Sequence, residues 1–214
     1  MVILLDQNES PIPPPKEVLI KGIEALHTIN RYYREDLYEE VRELYAKYAG
    51  TKPWRVWIQP SPDLFIGELL KVYVPINGSL TVPYPTYHLV IDYASFLGFK
   101  VKKVIMKAPI FKFDINEYVR SLEHAGYIDN PNNPTGQLLV KRDEVSRIAS
   151  LNKLLLIDET YYEISKYTVI DLVDKYPRLA ILRSFSKAFS MASARISILI
   201  GGDEIIDKFH YDVT

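Results

Sequence analysis

The residues best suited to chemistry lie in the segment 181–195, which reads ILRSFSKAFSMASAR. An apolar run precedes the hydroxyls of Ser184 and Ser186, and these are followed by Lys187 and Arg195. A lysine directly after a predicted buried strand, with hydroxyls and a guanidinium nearby, is typical of an imine-forming lysine beside a phosphate site. The same short motif also occurs as a surface lysine on a loop, so its interpretation depends on the rest of the chain.

Two further polar clusters follow predicted strands. The first, DNPNNPTG at 129–136, is either ordinary turn chemistry or a loop that presents Asn133 to a bound ring. The second begins at Asp158, which ends the apolar strand LLLID and needs a partner if it is buried. That partner could be a protonated pyridine nitrogen, a helix N-terminus or a salt bridge. Tyr161 could donate to an oxygen of the same ring or pack in the core.

Together these residues match the functional groups of one cofactor, pyridoxal phosphate. Its aldehyde would react with Lys187, its ring nitrogen would pair with Asp158, and its phenolate oxygen would be bound by Asn133 and Tyr161. The residues that would hold its phosphate are Ser184, Ser186 and Arg195. Ligands of open parallel sheets lie beyond the carboxyl ends of the strands, so the three clusters are expected to meet there.

The elements that must position these residues alternate along the chain. Strands are predicted at Trp54–Ile58, Leu80–Val82, Lys100–Met106, Ala125–Asp129, Lys153–Asp158, Leu179–Ser184 and Arg195–Ile200. Helices are predicted at Lys16–Ile29, Pro62–Tyr73, Tyr87–Leu97, Ile115–His124, Arg142–Leu151, Val169–Tyr176, Lys187–Ser193 and Asp203–Tyr211, and after Asp36. This alternation predicts an α/β domain with a mainly parallel sheet and helices on both faces, an α/β/α sandwich.

Local signals predict where two of the helices begin and where one ends. Asp36 and Glu39 resemble a capping box, and Gly50 stands where a glycine would end the same helix. Ser61 suits an N-cap and Pro62 the first helical position of the next helix.

Composition excludes several classes of function. The net charge of −1 gives no electrostatic reason to expect nucleic acid or an anionic membrane as a partner. The chain has no cysteine, which excludes disulfides and thiolate metal sites and fits a cytoplasmic protein. Its four histidines lack metal-ligand spacing, so no metal site is predicted. No apolar run approaches the roughly 20 residues that span a bilayer.

With these motifs the chain resembles the aspartate-aminotransferase superfamily of pyridoxal-phosphate enzymes, fold type I. Within it, the chain is most similar to the histidinol-phosphate aminotransferases of histidine biosynthesis. The resemblance runs from NESP at Asn8 to about Phe209 and includes VPYPTYHL, NPNNPTG, IDETYYE and SFSKAFSMASAR. It implies the large domain of a fold type I enzyme, an amino donor and a keto-acid acceptor such as 2-oxoglutarate as substrates, and a homodimer.

The resemblance also implies roles for individual residues. Lys187 would be the cofactor lysine and would carry the proton between substrate and cofactor carbons. Tyr87 would stack on the cofactor ring, although an aromatic that opens a helix can equally be a core residue. Tyr32 would reach across the dimer to the neighbour's phosphate, and Asn8 and Glu9 would close over the substrate.

The chain departs from the family's pattern in two places. QPSPDLF stands where relatives have a glycine-rich turn: Asp63 keeps the aspartate, but Pro62 has no N–H for a phosphate, which predicts weaker cofactor retention. The sequence also ends at Thr214, which predicts an N-terminal arm and helix (1–35) and a cofactor-binding large domain (36–214) without the C-terminal small domain. The isolated chain is therefore expected to bind the cofactor weakly or moderately and to turn over poorly.

Two other functions fit the same motifs. Threonine-phosphate decarboxylases share NPNNPTG, so a lyase of that kind is one alternative. A non-catalytic truncated remnant, or one half of a split enzyme, is the other.

Overall fold

The computed structural model describes residues 6–32 and 34–211, the side chains of the last three excepted. Residues 1–5 and Tyr33 of the predicted arm lie outside the described residues, as do residues 212–214 at the other end. The division of the chain into an arm (1–35) and a large domain (36–214) stays a prediction.

One seven-stranded sheet organises the described residues. Its strands are β1 (Val56–Gln59), β2 (Ser79–Tyr84), β3 (Lys100–Ile105), β4 (Ala125–Asp129), β5 (Leu154–Asp158), β6 (Leu179–Ser184) and β7 (Ser197–Gly201). Their order is β1-β7-β6-β5-β4-β2-β3, and every neighbouring pair is parallel except the two that include β7. The predicted mainly parallel sheet is therefore confirmed.

Helices cover both faces of this sheet. They are α1 (Lys16–Leu26), α2 (Glu35–Ala49), α3 (Pro62–Tyr73), α4 (His88–Phe96), α5 (Ile115–Ser121), α6 (Arg142–Ala149), α7 (Tyr162–Ser165) and α8 (Asp203–Tyr211). Along β5, Leu155 and Ile157 join a core cluster with residues of α2, α5 and α6. Leu154 and Leu156 point the other way, into a cluster with α3 and α4. A strand apolar on both faces is thus buried on both, which confirms the predicted α/β/α sandwich.

Helix α1 is eleven residues long and none of its residues is buried. Apolar side chains such as those of Leu19, Ile23 and Leu26 are exposed along it. No helix within the described ranges has both the length and the apolar composition needed to cross a bilayer.

The predicted capping box at Asp36 and Glu39 is wrong. Helix α2 begins at Glu35 with Arg34 as its N-cap, and no side chain caps it. The Asp36 carboxylate instead accepts a hydrogen bond from Arg34 Nε at 3.0 Å. The end of the helix is as predicted, because Gly50 takes the left-handed conformation with φ of 72°.

The predicted helix Lys187–Ser193 is also wrong. The segment after β6 forms turns, Ser190 has a positive φ of 58°, and a single 3-10 turn follows at Ala192–Ala194. Serine side chains bond the backbone locally and so compete with a helix; here the Ser184 hydroxyl accepts from the N–H of Ser186 at 3.1 Å.

Several smaller bounds also differ from prediction: α1 ends at Leu26 and not at Ile29, and α5 ends at Ser121 and not at His124. Three further differences involve 3-10 turns or a left-handed residue. The first strand starts at Val56 because Pro53–Arg55 forms a 3-10 turn. The last strand starts at Ser197 because Arg195 is left-handed, with φ of 54°. The predicted helix Val169–Tyr176 is a 3-10 helix, Ile170–Asp174.

Candidate functional site

The carboxyl ends of three neighbouring strands form the floor of one cavity of about 580 Å³. Asp129 ends β4, Asp158 ends β5 directly beside it, and Ser184 ends β6. Except for Tyr32, every residue predicted for the site lines this cavity: Asn8, Glu9, Asp63, Tyr87, Asn133, Asp158, Tyr161, Ser184, Ser186, Lys187 and Arg195. The parallel arrangement of these strands gathers the polar clusters that the sequence separates by tens of residues.

Tyr32 lies apart from this cavity. It follows α1, and its side chain is 97% exposed. The predicted contact with a neighbour's phosphate stays a prediction.

Asp158 provides a buried carboxylate at the cavity floor. Its Oδ2 accepts from the Tyr127 hydroxyl at 2.8 Å, and its Oδ1 accepts from the Thr160 N–H at 2.9 Å. Burial raises the pKa of Asp158, and hydrogen bonds from Thr160 and Tyr127 oppose this rise. A cationic group in the cavity would therefore stabilise the ionised carboxylate.

Lys187 provides a partly buried amine in the same cavity. Its Nζ donates to the backbone carbonyl of Gln7 at 2.6 Å. Burial lowers the pKa of Lys187 and the positive charge of Arg195 lowers it further, whereas Glu9 and Asp158 raise it. Lowering the pKa increases the fraction of neutral amine, which is the form that attacks an aldehyde.

The hydroxyls and the guanidinium expected to bind a phosphate lie between the end of β6 and the start of α3. Arg195 donates to the Ser61 hydroxyl at 3.1 Å and to the Ala192 carbonyl at 3.2 Å. Ser61 caps α3 as predicted, accepting from the Asp63 N–H at 3.3 Å, and donates to Asp63 Oδ2 at 2.8 Å. Because Pro62 has no N–H and Ser61 engages that of Asp63, neither first-turn residue offers an unengaged amide.

A buried oxygen of Asp63 is unpaired. Within the described residues, Oδ1 of this cavity-lining side chain has no hydrogen-bond partner. A buried acceptor without a partner carries a desolvation cost. A donor from a ligand in the cavity would remove that cost.

Hydrogen bonds involving residues 7, 8 and 10 hold the N-terminal arm against the cavity wall. Asn8 Nδ2 donates to the Tyr161 hydroxyl at 2.9 Å, and the Ser10 and Ser190 hydroxyls are 2.8 Å apart. With the Gln7 contact described above, the arm contacts Tyr161 after β5 and the segment after β6. This geometry agrees with a segment that covers the cavity.

Tyr87 and Asn133 occupy the side of the cavity towards β2. Burial first, and then the nearby carboxylates of Asp63 and Asp158, raise the pKa of Tyr87 well above its ordinary value, so it remains a neutral phenol. The N–H of Asn133 is bound by the Asp129 carboxylate at 2.8 Å, which leaves its side chain among the residues that line the cavity.

Sequence reasoning missed the buried groups that support this site. Tyr127 holds Asp158, and nothing in the apolar strand AGYID marks it as polar support. Arg183 and Glu159 form a fully buried ion pair, with Nη2 to Oε2 at 2.8 Å. The sequence signal for that pair is a charged residue at the end of each of two predicted strands, Glu159 in LLLIDE and Arg183 in AILRS.

Two known proteins of similar sequence carry the same name. The chain is 38% identical over 211 residues to the histidinol-phosphate aminotransferase of Sulfurisphaera tokodaii, covering 95% of this chain and 59% of that protein. It is 32% identical over 212 residues to the protein of the same name from Thermococcus kodakarensis, covering 97% and 62%. The chain therefore spans about three fifths of the length of these relatives.

Solved structures show the same fold. The histidinol-phosphate aminotransferase of Sinorhizobium meliloti, solved in complex with pyridoxal 5′-phosphate, matches with a TM-score of 0.84 and 22% identity, over 96% of this chain and 58% of that one. The aspartate aminotransferase of Thermotoga maritima matches with a TM-score of 0.85 and 22% identity, over 100% and 62%. The family model described as aminotransferase class I and II matches residues 1–210, and the chain belongs to that family.

Proposed function

We propose that this chain forms the cofactor-binding part of a pyridoxal-phosphate-dependent aminotransferase that acts on histidinol phosphate and 2-oxoglutarate. The observation that carries the proposal is one cavity lined by an amine, a buried carboxylate and a cluster of hydroxyls with a guanidinium. The names of the relatives, both histidinol-phosphate aminotransferases, support the choice of substrate.

The donor set fits this cofactor. Lys187 offers an amine of lowered pKa to an aldehyde, and Asp158 offers a buried carboxylate to a protonated ring nitrogen. Ser184, Ser186 and Arg195 line the same cavity and offer donors to a phosphate. A cavity of about 580 Å³ is within the usual range for a site of a small ligand.

When bound, the cofactor supplies an electron sink for the negative charge that develops at the substrate Cα. Lys187 Nζ would carry the proton that leaves the substrate Cα, and its lowered pKa suits it to accept that proton. Asp158 would pair with the ring nitrogen and keep it protonated. Because Asn8 Nδ2 donates to the Tyr161 hydroxyl, that hydroxyl keeps its own hydrogen for another acceptor, which would be the phenolate oxygen of the cofactor.

Further parts of the proposal concern the assembly. Tyr32 and the apolar side chains of α1 are exposed in this chain, which supports a homodimer in which a second copy covers them. A cytoplasmic location is supported by the absence of cysteine from the sequence.

Replacing Pro62 with serine is expected to tighten cofactor binding. The substitution restores an N–H at the first position of α3, where a phosphate accepts hydrogen bonds from a helix N-terminus. A hydrogen bond to a charged group contributes about 1.5–3 kcal/mol, so the dissociation constant should fall roughly 10-fold or more. The measurement is a pyridoxal phosphate titration of both proteins. Tight binding by the original chain, unchanged in Pro62→Ser, would contradict this account of the α3 terminus.

Product analysis tests the proposed reaction. Purified chain is incubated with pyridoxal phosphate, histidinol phosphate and 2-oxoglutarate, and glutamate is measured against Lys187→Ala as the blank. Glutamate above that blank supports the aminotransferase. Carbon dioxide from threonine phosphate, without glutamate, would favour the decarboxylase, whose candidacy rests on the shared NPNNPTG loop. A chain that binds the cofactor and yields neither product would favour the non-catalytic alternative.

A further inference from the structure

A second buried carboxylate lies beside Asp158 and has no part in the chemistry described above. Asp129, the last residue of β4, is 3% exposed. Its Oδ1 accepts from the Thr86 hydroxyl at 2.8 Å and from Asn132 Nδ2 at 2.9 Å. Its Oδ2 accepts from the N–H of Asn133 at 2.8 Å and from that of Tyr87 at 3.3 Å. The four donors occupy both oxygens of the carboxylate.

These four donors come from two different loops. Thr86 and Tyr87 belong to the turn between β2 and α4, and Asn132 and Asn133 belong to the loop after β4. Strands β2 and β4 are neighbours in the sheet and run parallel, so the two loops leave the same sheet edge side by side. Both loops contribute to the lining of the cavity, Tyr87 from the first and Asn133, with Pro131, from the second.

We propose that Asp129 is a positioning residue that joins the Tyr87 turn to the Asn133 loop, so that one carboxylate sets the spacing of both side chains across the cofactor ring. The inference rests on the proposed function, because it is the bound cofactor that would contact Tyr87 and Asn133. Asp129 acts through these two residues and not on the reacting atoms.

The full charge of the carboxylate matters to this arrangement. No Lys, Arg or His within residues 6–32 and 34–208 forms an ion pair with Asp129, so hydrogen bonds alone stabilise its charge. The titratable groups that face it are Asp158, Tyr118, Tyr127 and Tyr161, all acidic. Burial raises the pKa of Asp129 to about 6, so the charge is present at neutral pH and is lost as the pH falls below about 6.

Asp129→Asn changes the acceptor pattern with little change in size. Asparagine keeps one acceptor oxygen and replaces the other with an NH₂ donor. With the NH₂ group at the Oδ2 position, the N–H groups of Asn133 and Tyr87 face another donor. With it at the Oδ1 position, Asn132 Nδ2 faces a donor and the Thr86 hydroxyl must turn to accept. The turn and the loop keep one shared acceptor oxygen and lose the other, although the apolar packing of β4 is unchanged.

The test is a pyridoxal phosphate titration of the full chain at pH 7.5, followed by absorbance, for wild type, Asp129→Asn and Asp92→Asn. Asp92 is an exposed residue of α4, so its replacement removes the same charge beyond the same turn. Asp129→Asn is expected to raise the dissociation constant roughly 10- to 100-fold, the effect of losing hydrogen bonds to a charged group. Asp92→Asn is expected to match wild type.

The pH profile separates a positioning role from general damage. Pyridoxal, which lacks the phosphate, is used because a phosphate itself titrates near pH 6. Wild type is expected to lose pyridoxal affinity as the pH falls through about 6, and this step should be missing from Asp129→Asn. Equal affinities and equal profiles for these two proteins would overturn the inference.

A second pair of variants decides the matter if Asp129→Asn does not fold. Thr86→Val removes one donor from the turn, and Thr86→Ser restores the hydroxyl. Weaker cofactor binding by Thr86→Val, recovered in Thr86→Ser, is expected, and no change in either would overturn the inference.

If wild type and Lys187→Ala bind the cofactor alike, the proposed function fails and this inference fails with it. If they differ while Asp129→Asn equals wild type, this inference alone fails.

Discussion

Lys187→Ala is expected to abolish covalent attachment of pyridoxal phosphate to this chain. Within residues 6–32 and 34–208, Lys187 Nζ has only a backbone carbonyl as its hydrogen-bond acceptor, and its lowered pKa favours the neutral amine that attacks an aldehyde. Wild type should show the visible absorbance of lysine-bound cofactor and, after borohydride reduction, a permanent gain of the cofactor's mass on the peptide that contains Lys187. The variant should show neither. Any amino transfer should fall by at least the roughly 10²- to 10⁴-fold that proton transfer contributes.

Lys153→Ala is the matched control for this experiment. Lys153 is an exposed lysine just before β5, on the amino side of the strand whose other end carries Asp158. Its loss removes the same charge and leaves the cavity intact, so this variant should behave as wild type. If Lys187→Ala retained the absorbance and the mass gain, another amine would be the site of attachment and the proposed function would be wrong.

The sequence alone predicted the architecture because its signals were local and regular. Continuous apolar runs such as LLLID predicted strands buried on both faces, and five of the seven strands begin within one residue of their predicted starts. Once the strands are parallel, the chain's topology brings their carboxyl ends together. Asn133, Asp158 and Lys187 were therefore predicted to meet without any knowledge of distances, and they line one cavity.

The missed features depend on contacts between distant parts of the chain. Asp129 was treated as part of a turn motif, because its role is visible only when Thr86, 43 residues earlier, is found 2.8 Å away. The helix predicted at Lys187–Ser193 had suitable spacing, but local hydrogen bonds of serine and a positive φ at Ser190 replaced it with turns. The capping box failed because Arg34 competes for the Asp36 carboxylate.

Asp158→Asn is expected to change the stability of the free chain and its cofactor affinity in opposite directions. Burial raises the pKa of Asp158 in the folded chain above that of the unfolded chain, so the folded state holds the proton more tightly. The ionised carboxylate therefore lowers the free energy of unfolding at pH 8, and this penalty disappears as the pH falls below the unfolded-state pKa. A neutral asparagine removes the penalty, so the cofactor-free variant should melt at a higher temperature at pH 8, with a smaller difference at pH 5.

With the cofactor bound, the variant should melt at a lower temperature than wild type, because asparagine cannot pair with a protonated ring nitrogen. Losing one partner of a buried, hydrogen-bonded charge pair costs about 2–5 kcal/mol, which corresponds to a dissociation constant raised roughly 30- to 4,000-fold. Thermal melts with and without pyridoxal phosphate measure both effects, and Asp92→Asn again controls for the loss of one negative charge. A variant that is less stable than wild type both with and without the cofactor would mean that Asp158 serves the fold through Tyr127 and Thr160 and not the ligand. If Asp158→Asn is more stable than wild type without the cofactor but binds the cofactor more weakly, then the Asp158 carboxylate lowers the stability of the free chain and serves to bind the ligand.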